Sequence, residues 1–447
     1  MKLFGTDGIR GKVNSEPMTP DRVLSVGMAA AKVLKKQHGR NMVLIGKDTR
    51  LSGYMIESAL TSGICSMGMN VILVGPLPTP GVAYLTRALR LDAGIVISAS
   101  HNPFDDNGIK FFSHDGFKLP EEIEAEMEEI AKNGIGIRKP HGSRIGKAFR
   151  LDDATGRYIE YIKSTIPRGT SLEGLKVVVD CAHGAAYKTT PWVLSELGAE
   201  VVTINDKPDG VNINAGCGST HMEEVMKAVR KHKANVGIAH DGDADRTLFC
   251  DERGRLVDGD QMMGLLAVEL KKEGHLKNDT VVSTVMSNLG LEHYLQSKGI
   301  QLIREQVGDK YVVERMRKDD FNFGGEQSGH IVFFDYNTTG DGPITALQML
   351  NLLRKKRRKL SDLVKKIKLY PQILENVVVS KKRNIDSIPA ISKAIGKVNK
   401  DLEGRGRVLV RPSGTEPKIR IMIEGDDAGL IKKHAGYLSK VISKALT

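Results

Sequence analysis

Short β-branched runs separated by amphipathic stretches recur along most of this chain. Met42–Ile45, Val71–Val74 and Gly94–Ile97 read as buried strands, with helical spacing around Pro20–Leu34 and Met55–Ser66. The pattern returns in Leu175–Asp180, Glu200–Ile204 and Val236–Ala239, and again in Thr280–Val285, Ile300–Arg304 and Phe321–Gly325. Alternation of this kind predicts mixed or parallel sheets covered by helices. After Tyr370-Pro371 strands dominate instead, at Glu375–Ser380, Gly406–Val410 and Lys418–Glu424, and a helix from about Asp427 covers one face. Boundaries are expected near residues 150, 255 and 369, giving segments 1–150, 151–255, 256–369 and 370–447. No tandem repeat is visible, so any kinship among the first three segments is one of architecture.

Composition changes this picture little. A chain of 447 residues is too long for one core and divides into units of about 100–150 residues. The start, Met-Lys-Leu-Phe-Gly-Thr-Asp, has no apolar h-region, and no apolar run approaches the roughly 20 residues needed to cross a bilayer. Cys65, Cys181, Cys217 and Cys250 lie far apart without a Cys-x-x-Cys pair. They are expected to be reduced and mostly buried thiols of a cytoplasmic protein, without a zinc site. The net charge is +12, and the densest basic run is Lys355-Lys356-Arg357-Arg358-Lys359. No aromatic residue interleaves that run, so it offers no stacking platform for nucleic acid. It reads as a solvated helix end and turn before Leu360.

Chemistry gathers in four loops. The strand Ile95-Val96-Ile97 runs into Ser98-Ala99-Ser100-His101-Asn102-Pro103, at the strand end where open α/β sheets bind ligands. Ser100 needs a base, a metal or prior phosphorylation to act, and His101 and Lys110 are near it in sequence. In Asp241-Gly242-Asp243-Ala244-Asp245-Arg246, three carboxylates at alternate positions can turn to one point. Such hard oxygen ligands suit Mg²⁺, and Arg246 can hold a phosphoryl group beside it. Gly324-Gly325-Glu326-Gln327-Ser328-Gly329-His330 offers Glu326 and Ser328 to sugar hydroxyls and His330 for proton transfer. Arg411-Pro412-Ser413-Gly414-Thr415-Glu416-Pro417, with Arg420, mixes guanidinium forks with hydroxyl and backbone donors, as anion cradles do.

In this order the four loops resemble those of the α-D-phosphohexomutase family. The opening Phe4-Gly5-Thr6-Asp7-Gly8-Ile9-Arg10-Gly11 is similar to that family's first motif, and the likeness spans essentially the whole chain. The resemblance implies three related α/β domains and a smaller C-terminal α+β domain around a central cleft. It implies that Ser100 is the phosphoserine, and that its phosphate with Asp241, Asp243 and Asp245 holds Mg²⁺. Arg10, Glu326, Ser328, Arg411, Ser413, Gly414, Thr415 and Arg420 bind substrate by the same likeness. His101, Lys110, Arg246 and His330 match positions near the reacting groups. Gln327 resembles the amino-sugar version of the loop, where the mannose and glucose type more often has Met. The expected reaction is therefore glucosamine 6-phosphate to glucosamine 1-phosphate through a hexosamine 1,6-bisphosphate, with the mannose and glucose phosphates as the alternative. The expected partner is a phosphorylated amino sugar, with neither nucleic acid nor membrane, and a homodimer stays open. Ala244 departs from the Gly usual between the second and third aspartates, a change that touches loop geometry and removes no ligand.

Overall fold

The computed structural model describes residues 2–5, 7–38, 40–134, 136, 138–379, 385–412 and 418–446. Among them the strands fall into four sheets. The first has the order Phe4–Gly5, Gly8–Lys12, Asp106–Ser113, Ala93–Ile97, Met42–Lys47, Asn70–Pro76, Ala148–Arg150. The second is Leu256–Val257, Thr247–Asp251, Val236–His240, Lys176–Asp180, Glu200–Ile204. The third is Gln301–Glu305, Thr280–Thr284, Phe323–Gly325, Ile331–Phe333, and the fourth Gln372–Val378, Lys418–Gly425, Gly406–Pro412.

One core is common to the first three sheets. In each, the first strand lies parallel between the second and third, and a fourth returns antiparallel beside the third. The turn between that third strand and its antiparallel return is residues 98–105 in the first sheet, 241–246 in the second and 326–330 in the third. The three chemical loops of this part of the chain thus occupy one topological position, repeated three times. The expected α/β architecture is present, and the kinship of the three segments is in strand order.

Burial explains which elements the pattern revealed. Ala93–Ile97, Val236–His240 and Thr280–Thr284 are buried at every position, so they appear as short runs of apolar and β-branched residues without polar alternation. The edge strand Ala148–Arg150 is exposed throughout and leaves no such mark. In the last segment the expected Glu375–Ser380 strand is observed as Gln372–Val378, because its first residues lie half-exposed and look polar; Ser380 is outside the described residues.

Packing separates the chain into two units: Met1–Met286 with Ile300–Lys365, and Ser287–Gly299 with Lys366–Thr447. In the second unit Ile419, Ile421 and Ile423 alternate on one strand and pack with Ile431, Ala435, Leu438 and Ile442 of the helix Ala428–Leu446. Period two on the strand meets the i, i+4, i+7, i+11 spacing on the helix. Each such fully buried isoleucine or leucine contributes about 1.5–3 kcal/mol. Among the described residues no helix is long and apolar enough to cross a membrane. Cys181, Cys217 and Cys250 are buried, Cys65 is half-buried, and all are free thiols.

Candidate active site

Ser100 is held in place from behind. Its backbone has φ of +52°, a left-handed conformation that a non-glycine residue adopts at a cost of about 1–3 kcal/mol. The restraint comes from Arg50, which is fully buried. Its Nη2 donates to the carbonyls of Ser100 (2.9 Å) and Asn102 (2.8 Å), and its Nη1 to those of Pro103 and Asp106. Its Nε donates to Asp48 Oδ2 (2.7 Å), which also accepts from Ser98 Oγ (2.6 Å). Ser98 Oγ in turn accepts the Ser100 N–H (2.9 Å). A planar guanidinium fork can gather several carbonyls in this way, as a lysine cannot.

The acidic loop comes to the serine hydroxyl. Ser100 Oγ donates to Asp241 Oδ2 at 2.6 Å, across 141 residues of sequence. Asp241, Asp243 and Asp245 are all buried, and one carboxylate oxygen from each lies within 4.8 Å of the others. Burial, with Asp245 and Asp243 alongside, pushes the Asp241 pKa well up. Asp243 accepts from Thr79 Oγ1 (2.7 Å) and Lys110 Nζ (3.0 Å), and Lys110 also reaches Asp245 (3.4 Å) and Asp7 (3.2 Å). Burial opposes the Lys110 charge, but Asp243, Asp7 and Asp245 more than offset it, and its pKa is pushed up. Asp243 Oδ1 and Asp245 Oδ1 are buried without a hydrogen-bond partner among the described residues. A hard divalent cation satisfies clustered carboxylate oxygens of this kind.

His101 Nδ1 lies 3.4 Å from both Ser100 Oγ and Arg246 Nη1. Burial, then Arg246 and Arg10, push its imidazole down to about 4. It is therefore an unprotonated acceptor at neutral pH. Arg246 lies 3.8 Å from Asp245, and its backbone N–H donates to Asp241 Oδ1 (3.2 Å).

The Glu326–His330 turn docks on the same centre. Gly329 has φ of +90°, and a Cβ there would sit 2.1 Å from the Thr247 carbonyl, so only glycine lets the turn approach the strand leaving the acidic loop. The Thr247 N–H closes the contact on the Gly329 carbonyl at 3.1 Å. Ser328 Oγ donates to Glu326 Oε2 (3.3 Å), and Glu326 acts electrostatically on Arg246. His330 is buried; its Nε2 accepts the Gly340 N–H at 3.2 Å, which places the neutral ring's proton on Nδ1. That Nδ1 has no partner among the described residues.

Arg10 joins the group through Asp7, which it bonds directly. Asp7 also accepts from Lys118 (2.6 Å), and Lys118 donates to Asp309 (2.5 Å), whose Oδ2 lies 3.5 Å from His330 Nε2. Asp7, Thr79, Lys118, Asp309, Asp48 and Arg50 were not singled out from sequence. Asp7 lies in the opening motif and was within reach; the rest sit in locally ordinary stretches. In the second unit, Arg411 and Arg420 are directly opposite across antiparallel strands. Burial, then Arg420, lower the Arg411 pKa. Ser413, Gly414 and Thr415 lie outside the described residues.

Models of phosphoglucomutase/phosphomannomutase match four successive stretches: α/β/α domain I over residues 1–136, domain II over 156–254, domain III over 258–370 and the C-terminal domain over 374–439. The chain belongs to the phosphoglucomutase/phosphomannomutase family. Within it, a relative from Thermodesulfovibrio yellowstonii named phosphoglucosamine mutase is 55% identical over 100% of both chains. A solved family protein from Burkholderia thailandensis has a TM-score of 0.83 at 24% identity, covering 99% of this chain and 97% of its own. An Aspergillus fumigatus N-acetylphosphoglucosamine mutase, solved with GlcNAc-6P and magnesium, has a TM-score of 0.71 at 18% identity, over 100% and 96% of the two chains. At these identities the two structures speak for the fold.

Proposed function

We propose that the protein is a phosphoglucosamine mutase, interconverting glucosamine 6-phosphate and glucosamine 1-phosphate through a phosphoserine enzyme and a hexosamine 1,6-bisphosphate. The observation that carries this reading is the Ser100 hydroxyl bonded to Asp241 within the buried acidic triad, on loops that occupy equivalent positions in their sheets. The relative named phosphoglucosamine mutase supports the amino sugar as substrate.

Ser100, once phosphorylated, donates its phosphoryl group to the sugar C1 hydroxyl: the P–Oγ bond breaks, a bond from phosphorus to the C1 oxygen forms, and the C1 hydroxyl proton ends on the freed Ser100 Oγ. The bisphosphate then turns round and returns its other phosphoryl group to Ser100. Asp241, Asp243, Asp245 and the Ser100 phosphate would hold Mg²⁺, a fit supported by the clustered carboxylates, two of them with an oxygen lacking a hydrogen bond, and by the hard-oxygen donor set. Bound there, the ion supplies charge stabilisation to the transferring phosphoryl group. Lys110 stays an ammonium among three carboxylates and Arg246 adds a second cation, so the positive charge is fixed before reaction begins. His101, unprotonated at neutral pH, accepts at Nδ1 beside Ser100 Oγ. His330 presents Nδ1–H as a donor to a sugar oxygen, and Glu326 and Ser328 take further hydroxyls. Arg10 binds substrate from the first motif, and Arg411, Ser413, Gly414, Thr415 and Arg420 take the phosphate that is not in transfer. The same reading places the enzyme in the cytoplasm, divides it at about residues 150, 255 and 369, and has it use the bisphosphate as activator.

A mutase assay with glucosamine 6-phosphate on the intact enzyme and on Ser100→Ala tests the mechanism; full activity in the variant would overturn it. Faster turnover of glucose or mannose 6-phosphate would overturn the amino-sugar assignment and leave the phosphoserine mechanism standing.

A further inference from the structure

The basic run 355–359 is left over by the mutase reading, and the structure divides it. Lys355 pairs with Glu273 and Lys356 with Glu269. The side chains of Arg357, Arg358 and Lys359 have no hydrogen-bond or ion-pair partner among the described residues. These three, with Arg354, line a cavity of about 420 Å³ whose other walls include Leu175, Asn235 and Glu252. The carboxylate of Glu252 is already engaged, accepting from Ser361 Oγ at 2.5 Å and from the Ser361 N–H. Cations near a helix C-terminus ordinarily serve its dipole, and that accounts for Arg354, Lys355 and Lys356 in the last turn of Gly342–Lys356. It does not account for Arg358 and Lys359, which lie beyond the helix.

Arg357 itself is in a costly place. It is the residue after the helix, at φ of +50°, where glycine or asparagine normally stands. A left-handed arginine costs about 1–2 kcal/mol relative to an unstrained conformation, and what it gains there is a guanidinium on the cavity wall. Leu175 and Asn235 immediately precede the strands Lys176–Asp180 and Val236–His240. The cavity therefore lies at the amino ends of the second sheet, whereas Asp241 leaves the carboxyl end of the same strand. The two sites are at opposite ends of that sheet's strands.

We propose that this cavity is a second anion site, binding a small ligand with a diphosphate group. Guanidinium forks match phosphate oxygens bidentately, three unpaired cations suit more than one phosphate, and the volume is in the range of small-molecule sites, about 300–1,000 Å³. The diphosphate belongs either to a nucleotide or to a free diphosphate, and the recognising chemistry is the same.

Calorimetric titration of the full chain with inorganic pyrophosphate and with ADP tests it. The wild type is expected to show two classes of site, one of them the mutase centre. The Arg357→Ala/Arg358→Ala/Lys359→Ala variant should lose one class, weakening it at least about 10-fold (~1.4 kcal/mol), with mutase activity unchanged. Arg357→Gly relieves the backbone strain, so weaker pyrophosphate binding there cannot come from unfolding. ADP bound more tightly than pyrophosphate identifies a nucleotide, and equal affinity a free diphosphate. Isotherms of the triple variant that match the wild type would overturn the site. So would a single-stranded RNA oligomer that outcompetes both probes at these residues.

Discussion

The serine and acidic loops of the first unit and the arginine pair of the second, both assigned to phosphate in the proposed function, handle charge in opposite ways. Around Ser100 the charges answer one another: Lys110 lies among Asp7, Asp243 and Asp245, Lys118 bridges Asp7 to Asp309, and Arg50 is closed on Asp48. This region is organised by its own residues before substrate arrives. Arg411 and Arg420 instead face each other in register, like charge opposite like charge, an arrangement that is mildly destabilising by itself. On the proposed function, an incoming phosphate would remove that repulsion. One region thus stores its precision in the fold, and the other leaves part of it to the ligand.

The most severe way to break the first region is Arg50→Ala. It removes one donor from each of four carbonyls in and beside the serine loop, leaving those of Ser100 and Asn102 to Asn214 Nδ2, and leaves Asp48 buried without its cation. Removing one partner of a buried pair costs about 3–5 kcal/mol, read as a lowered urea midpoint, and mutase activity should fall with it. Arg50→Lys should rescue little, since an ammonium cannot reproduce the fork. Stability within about 0.5 kcal/mol of wild type would show that Arg50 does not organise the loop.

Arg411→Ala should do the reverse. Loss of a charge-assisted phosphate contact costs about 1.5–3 kcal/mol, so the KM for glucosamine 6-phosphate is expected to rise about 10- to 100-fold. The urea midpoint should hold or rise slightly as the cross-strand repulsion goes. A stability loss on the scale of Arg50→Ala would erase the contrast between the regions.

Lys118→Met probes the bridge between the opening motif and the third sheet. Asp7 and Asp309 would then face each other without their shared cation, at a cost of about 1–3 kcal/mol at pH 7. The pH dependence has a definite sign. Burial disfavours both charges, but Lys110, Lys118 and Arg10 hold Asp7 well below the usual carboxylate range, and Lys118 lowers Asp309. Their stabilisation is therefore fully present above about pH 4 and is lost as pH falls through the depressed values. In Lys118→Met that acid loss should be shallower; an acid limb unchanged from wild type would mean that Lys118 does not carry it.

What was legible in the sequence follows the same division. The four loops could be read because each packs its chemistry into a few consecutive residues after a recognisable strand. Arg50 and Lys118 could not: Arg50 meets Ser100 across 50 residues, and Lys118 meets Asp309 across 191, in stretches with no unusual local pattern. Part of the tripled sheet core, the last strand of the second and third copies, was hidden for a related reason. Its antiparallel returns, Thr247–Asp251 and Ile331–Phe333, are short and follow chemical loops, where polar residues mask the strand period. His330 was picked out as a proton carrier, but its tautomer depends on Gly340, which only the fold brings near.

Ala244 offers the smallest and most informative change. Its φ of +54° explains why glycine suits the position between the second and third aspartates. Ala244→Gly relieves left-handed strain of about 1–2 kcal/mol, but removes a fully buried methyl worth about 0.8 kcal/mol. It also adds about 0.5–1 kcal/mol of backbone entropy to lose on folding. The terms nearly cancel, so the urea midpoint should move by less than about 0.5 kcal/mol equivalent. If the acidic loop is held by its own hydrogen bonds, mutase activity should stay within about twofold of wild type. A large loss of activity at unchanged stability would show that the alanine backbone restraint sets the aim of Asp243 and Asp245. The first region would then owe its precision to one strained residue rather than to its charge network.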